Sequence, residues 1–208
     1  MMMIKLHGIR MSNYYSLSKA CFFEKGVEFE EVKDPPSQQD DYLAKSPMGK
    51  VPCIEVDGTF LSEAFAIADY LDHIQPEPPL LPRDPLARAK NIELIRHLEL
   101  DVELVARRCL PEAFFGQTVS DEIKESTKKD LAKGMRAVGN LLECNPYAAG
   151  ETFTLADLYV FYTFGLASGI VKKIFDEDLM AEVSELKGLV ETLANRDSIR
   201  EVEAAKAR

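Results

Sequence analysis

Three groups of residues carry recognisable chemistry. The stretch Ser46-Pro47-Met48-Gly49-Lys50-Val51-Pro52 ends on a proline that opens the apolar run Cys53-Ile54-Glu55-Val56. Proline cannot donate a ladder hydrogen bond, so it suits a strand start or an edge, and the backbone of Val51 is left for another partner. X-Pro bonds are the usual site of cis peptides. A cis Val51-Pro52 bond would turn the chain sharply and present the Val51 N–H and C=O outward, where an extended peptide can pair with them as an added strand. Further on, Asp57-Gly58 closes a hairpin, and Ser62 reads as the N-cap of a helix with Glu63 in its first turn. Free N–H groups at that helix start attract a carboxylate. The third group is the run Gly8-Ile9-Arg10-Met11-Ser12-Asn13-Tyr14-Tyr15-Ser16, whose Ser12, Asn13 and Tyr14 offer donors where another helix begins. Hydroxyl and amide donors, together with the positive end of a helix, favour an anion.

The surrounding pattern says which elements must hold these groups. Met3 to His7 reads as a strand, Tyr15 to Lys25 as a helix stopped by Gly26, and Val27 to Val32 as a half-buried strand. The two strands are expected to lie parallel with a right-handed crossover. After the loop Pro35-Pro36-Ser37-Gln38-Gln39, Asp40 to Lys45 forms a short irregular helix. The hairpin follows, and then a helix with the apolar stripe Leu61, Ala64, Phe65, Ala68 and Leu71. This order of strands and helices is thioredoxin-like.

Pro76, Pro78, Pro79, Pro82 and Pro85 then mark a stiff linker. The expected division is a domain over 1–75, a linker over 76–86 and an all-helical domain over 87–208. In the second half, Ile95, Leu98, Val102, Val105 and Cys109 follow one long helix that Pro111 ends or kinks. Leu131, Met135, Val138 and Leu142 follow another, ended near Asn145-Pro146. Thr154 and Asp157 have capping-box spacing, with Phe153 and Leu158 as a hydrophobic staple, at the head of a helix apolar on all sides. Such a helix belongs at the centre of a bundle. Leu179, Val183, Leu186, Val190 and Leu193 give a further helix, and Ile199 and Val202 a short final one.

Composition narrows the partners. A formal net charge of -10 over 208 residues argues against general affinity for nucleic acid or anionic membrane. The uncharged stretch Leu158 to Val171 is too short to span a bilayer, so no transmembrane segment is expected. The N-terminus lacks the pattern of a secretory signal, and cytoplasmic residence is the expectation. Cys21, Cys53, Cys109 and Cys144 show no zinc or redox spacing, and neither do His7, His73 and His97, so no metal is expected.

Taken together, Gly-Lys-Val-Pro, the hairpin and Ser-Glu-Ala-Phe-Ala-Ile resemble the glutathione-binding half of cytosolic glutathione transferases. The likeness continues through the Thr-Leu-Ala-Asp box of the second half. It suggests a bacterial member, either serine-type (theta- or zeta-like) or beta-like. The resemblance implies an α/β thioredoxin-like N-terminal domain followed by an all-α helical bundle, glutathione as cosubstrate, and a homodimer. It implies Ser12 as the donor to the glutathione thiol, with Asn13 in support; an alignment shifted toward the cysteine-type bacterial enzymes makes Tyr14 the rival. It also implies that Val51 beside Pro52 pairs with the cysteinyl backbone, Lys50 reaches the glycyl end, and Glu63 with Ala64 holds the γ-glutamyl end. Many members carry Ser or Thr where this chain has Ala64. Tyr15, Arg107, Phe114, Phe115 and Tyr162 are the expected lining of the electrophile pocket, and Asp101 would reach the partner subunit's glutathione.

The activity so implied is conjugation of the glutathione thiolate to small hydrophobic electrophiles, in detoxification. Two alternatives stand beside it. One is an interaction protein that keeps the fold without turnover. The other is a glutathione-dependent isomerase, dehalogenase or peroxidase, although Ser12-Asn13-Tyr14 stands where the isomerase type has Ser-Ser-Cys.

Overall fold

The computed structural model describes residues 3–206, which divide into two compact units. The first runs through Leu81 and takes back the chain from Asn195 onward; the second is Pro82–Ala194.

The first unit contains a four-stranded sheet in the order β2-β1-β3-β4, built from β1 (Ile4–Gly8), β2 (Glu30–Lys33), β3 (Cys53–Val56) and β4 (Thr59–Ser62). β1 and β2 are parallel, while β3 runs antiparallel to β1 and to β4. The helices are α1 (Asn13–Lys25), α2 (Asp40–Leu43) and α3 (Ala64–Ile74). α1 ends at Gly26, whose left-handed φ of 60° suits a residue without a side chain. Leu17, Ala20, Cys21 and Phe22 of α1, with Ile67, Ala68 and Leu71 of α3, are buried together with Leu6 and Ile54 of the sheet. The expected thioredoxin-like order is present.

Two boundaries differ from the sequence expectation. The stiff linker does not stand free of the first unit: Leu80 and Leu81 are buried, and their N–H groups donate to Asp72 at 2.7 and 3.4 Å. The last helix, α10 (Asp197–Lys206), belongs to the first unit and not to the helical one. Arg196 donates two hydrogen bonds, at 2.6 and 2.7 Å, to Glu24 of α1, and Ser198 also donates to that carboxylate. Ile199 and Val202 are buried in consequence.

The second unit is helical. α4 (Pro85–His97) starts with Pro85 in its first turn and Asp84 as N-cap, so Pro85 is helical rather than part of the linker. The helical path continues through a π-helical stretch (Leu98–Glu103), α5 (Leu104–Ala106), a 3₁₀ turn (Arg107–Cys109) and α6 (Leu110–Phe115). Pro111 falls in the first turn of α6, where its missing N–H costs nothing. α7 (Asp121–Leu141), α8 (Leu155–Phe175) and α9 (Ser184–Ala194) complete the unit.

α8 has the length and hydropathy to cross a membrane, beyond what its uncharged core alone suggests. Its flanks nevertheless pack inside the unit, against α4, α6, α9 and the π-helical stretch, as a central helix does. At its head, Asp157 accepts from Thr154 N–H at 2.8 Å, Thr154 Oγ1–H at 3.2 Å and Ala148 N–H at 2.7 Å. The expected cap is therefore present and also fastens the preceding loop.

α7 crosses the π-helical stretch at Gly134, where a Cβ would lie 2.1 Å from the carbonyl oxygen of Asp101. Backbone cannot yield there as a flexible side chain can. Gly134→Ala is therefore expected to destabilise the protein by about 1–3 kcal/mol, read as an earlier midpoint in denaturant unfolding. An unchanged midpoint would contradict this crossing.

Candidate functional site

The sheet register brings the three chemically promising segments to one end. His7 pairs with Cys53, and Cys53 in turn pairs with Ser62. The loop after β1, the residues before β3 and the residues after β4 therefore leave the same edge of the sheet. Ser12, Lys50-Val51-Pro52 and Glu63-Ala64 converge there through topology alone.

Ser12 is the N-cap of α1, in extended backbone geometry, and its Oγ accepts the Tyr15 N–H at 3.3 Å. A hydroxyl oxygen that accepts one bond keeps its own hydrogen to donate elsewhere, so capping and anion stabilisation are compatible at one residue. Asn13 and Tyr14, half-buried, are the first two residues of the helix.

Tyr15 departs from expectation. It is 3% exposed, its ring fills the space beside Gly8, and its hydroxyl donates to Glu31 at 2.7 Å. Burial and the neighbouring Glu31 carboxylate push its hydroxyl well above the ordinary tyrosine range. One residue past Tyr14 the helix has turned by about 100°, which carries this side chain into the core and away from any substrate pocket.

The Val51-Pro52 peptide is cis. Val51 lies just before the paired register of β3, which starts at Cys53. Gly49 takes a left-handed φ of 64°, with Gln38 Nε2 and Ser37 O where a Cβ would be, at 2.2 and 2.3 Å. Gln38 also donates to Met48 O at 3.2 Å, so the loop is packed on its own residues. Lys50 is exposed.

The hairpin exit also differs from expectation. Pairing with Cys53 keeps Ser62 in β4, so Ser62 does not cap the helix. Glu63 is the N-cap instead, with φ 75° and ψ 119° and no capping bond from its side chain. A left-handed glutamate is costly, by about 1–3 kcal/mol, and such outliers gather where a ligand is held. Ala64 opens α3, and the first N–H groups of a helix have no partner within it.

The two thiols of the first unit, Cys21 and Cys53, are unsuited to attack. Burial, with Glu24 and Asp72 nearby, pushes the Cys21 thiol far up. Cys53, which follows Pro52, is fully buried and pushed up to about 11 by burial and by Asp34, against the influence of Lys45.

The remaining candidates belong to the second unit. Tyr162 is 3% exposed and packs edge-on against Phe161, so it is a core residue and not pocket lining. Arg107 binds the buried carboxylate of Glu103, its Nε at 3.0 Å. Phe114 and Phe115 are exposed, with Lys173 Nζ 4.0 Å from the Phe114 ring centre. Asp101, in the π-helical stretch, pairs with His97 at 2.7 Å.

One polar group at the sheet's end has no signature in the sequence. A single oxygen of Asp34, just past β2, accepts from His7 Nδ1 and from Lys45 Nζ, each at 3.0 Å. Burial alone would raise the Asp34 carboxyl, but these two partners hold it below the usual range. Nothing in the spacing of residues 7, 34 and 45 signals this trio. Among the described residues, no group of three ligating side chains is placed to hold a metal.

Comparisons with known proteins bear on the family and the fold. Residues 6–79 match the glutathione S-transferase N-terminal domain, and residues 111–206 match the glutathione S-transferase C-terminal domain. A glutathione S-transferase of Pseudomonas putida is 40% identical over 204 residues, covering 98% of this chain and 93% of its own. Among solved structures, a bacterial zeta-class maleyl pyruvate isomerase superposes with TM-score 0.75 at 22% identity, over 95% of each chain. A glutathione transferase homologue from Sulfitobacter, solved with bound glutathione, superposes with TM-score 0.77 at 22% identity, over 99% of each chain.

Proposed function

The chain belongs to the glutathione S-transferase family and is a glutathione transferase, and from that premise we propose how its residues divide the work. Glutathione lies along the Val51 backbone, its cysteinyl unit pairing with the Val51 N–H and C=O. Lys50 reaches the glycyl carboxylate. The γ-glutamyl end sits at the start of α3, its carboxylate on the helix N–H groups and its ammonium facing Glu63.

The sulfur then meets the N-terminus of α1. There the Ser12 hydroxyl donates to it and lowers its pKa, so the thiolate is populated at neutral pH. Asn13 supports the same anion. We favour Ser12 over Tyr14 because the cap bond from Tyr15 N–H fixes its oxygen at the helix end. The thiolate attacks the electrophilic carbon of a small hydrophobic substrate, forming a C–S bond as the leaving group or π-electron pair departs.

The observation that carries this reading is the convergence of Ser12, Val51 and Glu63-Ala64 on one end of the sheet. Calorimetry with glutathione, followed by conjugation assays with a panel of apolar electrophiles, tests it. Saturable binding and transfer are expected, and no heat at millimolar glutathione would refute it.

The side chain at position 64 gives a graded test. Ala64 lacks a hydroxyl that would bind the γ-glutamyl carboxylate. Ala64→Ser is therefore expected to lower the KM for glutathione by about two- to tenfold, the equivalent of one added hydrogen bond. An unchanged or raised KM would place the carboxylate elsewhere.

We also propose a cytoplasmic homodimer acting in detoxification, with Asp101 reaching the partner's glutathione. The four free cysteines suit a reducing compartment. A monomer in sedimentation velocity would rule out the shared site.

A further inference from the structure

We propose that Tyr42 is a positioning residue for glutathione: its hydroxyl orients the Lys50-Val51 peptide so that the Val51 N–H faces the tripeptide. This deepens, and rests on, the reading of Val51 as partner of the cysteinyl backbone.

Tyr42 is 4% exposed, and its hydroxyl donates to the Lys50 carbonyl oxygen at 3.4 Å. The Lys50-Val51 bond is not among the cis peptides, so it is trans and planar. In a trans peptide the C=O and the N–H point to opposite sides. Turning the Lys50 oxygen in toward a buried tyrosine therefore turns the Val51 N–H out.

The anchor is itself held. α2 spans four residues and has no side-chain cap, too little to persist alone. Lys45, at its C-terminal end, is tied to Asp34, which also receives His7 from β1. Ser46 N–H bonds back to Tyr42 O at 2.9 Å, and Gly49 N–H to Ser46 O at 2.8 Å. The sheet thus fixes α2, and α2 fixes the peptide. Burial, with Cys53 and Asp34 nearby, pushes the Tyr42 hydroxyl up to about 12, so it remains a donor at neutral pH.

A neutral bond of this length is weak, so its removal is expected to cost a few-fold in affinity and not orders of magnitude. Tyr42→Phe keeps the ring in the core and deletes the donor alone. The KM for glutathione should rise about three- to tenfold, while kcat at saturating glutathione and the KM for the electrophile stay within about twofold.

A glutathione analogue with the cysteinyl carbonyl reduced to methylene separates the two layers of the argument. The wild type should bind it more weakly than glutathione, and Tyr42→Phe should bind it as the wild type does. If the wild type does not distinguish the analogue from glutathione, the Val51 contact itself is wrong. If it does, but Tyr42→Phe weakens both ligands equally or neither, Tyr42 does not act through Val51 and the proposal is overturned.

Discussion

Ser12→Ala is expected to lower kcat/KM about 10- to 100-fold at neutral pH, because a hydrogen bond to a charged acceptor contributes about 1.5–3 kcal/mol. The loss should depend on pH. Without the hydroxyl, the bound thiol ionises about one to two pH units higher, and the activity profile moves by that amount to the alkaline side. At pH well above the new midpoint most of the activity should return, since the thiolate is then formed without help. Tyr14→Phe should leave the profile in place. If instead Tyr14→Phe shifts it and Ser12→Ala does not, the donor is Tyr14. The variant must also be checked for stability, because Ser12 caps α1 and loss of a cap costs about 0.5–2 kcal/mol.

Asp157→Ala should give the largest loss of stability of any single change considered. This fully buried carboxylate takes N–H bonds from Thr154 and Ala148 and a hydroxyl bond from Thr154, and removing it strands those donors inside the protein. Each stranded donor costs about 1–3 kcal/mol, and the helix loses its cap as well, so a total of about 3–5 kcal/mol is expected. For a chain of this size that lowers Tm by about 6–20 °C. Thr154 is held from a second direction, since Asn91 donates to its hydroxyl at 2.8 Å. Thr154→Ala should therefore also destabilise, but by less, as it leaves Asp157 with its two backbone donors. A shift of less than a degree in Asp157→Ala would contradict the role given to this cap.

The contrast among these residues shows what a sequence discloses. Thr154 and Asp157 lie three apart, and Gly26 follows directly on Lys25, so caps and stops were readable from local spacing. The cis peptide before Pro52 and the hairpin turn at Asp57-Gly58 were readable for the same reason. Tyr15 is not, because one helical step separates a half-buried residue at the start of α1 from one in the core. The helix cap falls one residue after Ser62 because strand pairing with Cys53, across the hairpin, outweighs the serine's capping preference. The place of α10 in the first unit is not legible in local spacing, because the bonds that retain it join Arg196 to Glu24, 172 residues apart. The trio of His7, Asp34 and Lys45 and the bond from Tyr42 to Lys50 depend likewise on folding and not on spacing.

The proposed chemistry depends on a glutathione sulfur held as a thiolate at the start of α1 by Ser12. Its most direct test is an ultraviolet titration of the thiolate in the binary complex with glutathione, in wild type and in Ser12→Ala. The wild-type complex should ionise at least about one unit below the ordinary thiol value near 8.5, and the variant should return to that value. A bound thiol that titrates as it does free in solution, or one whose depressed pKa survives the loss of Ser12, would contradict it.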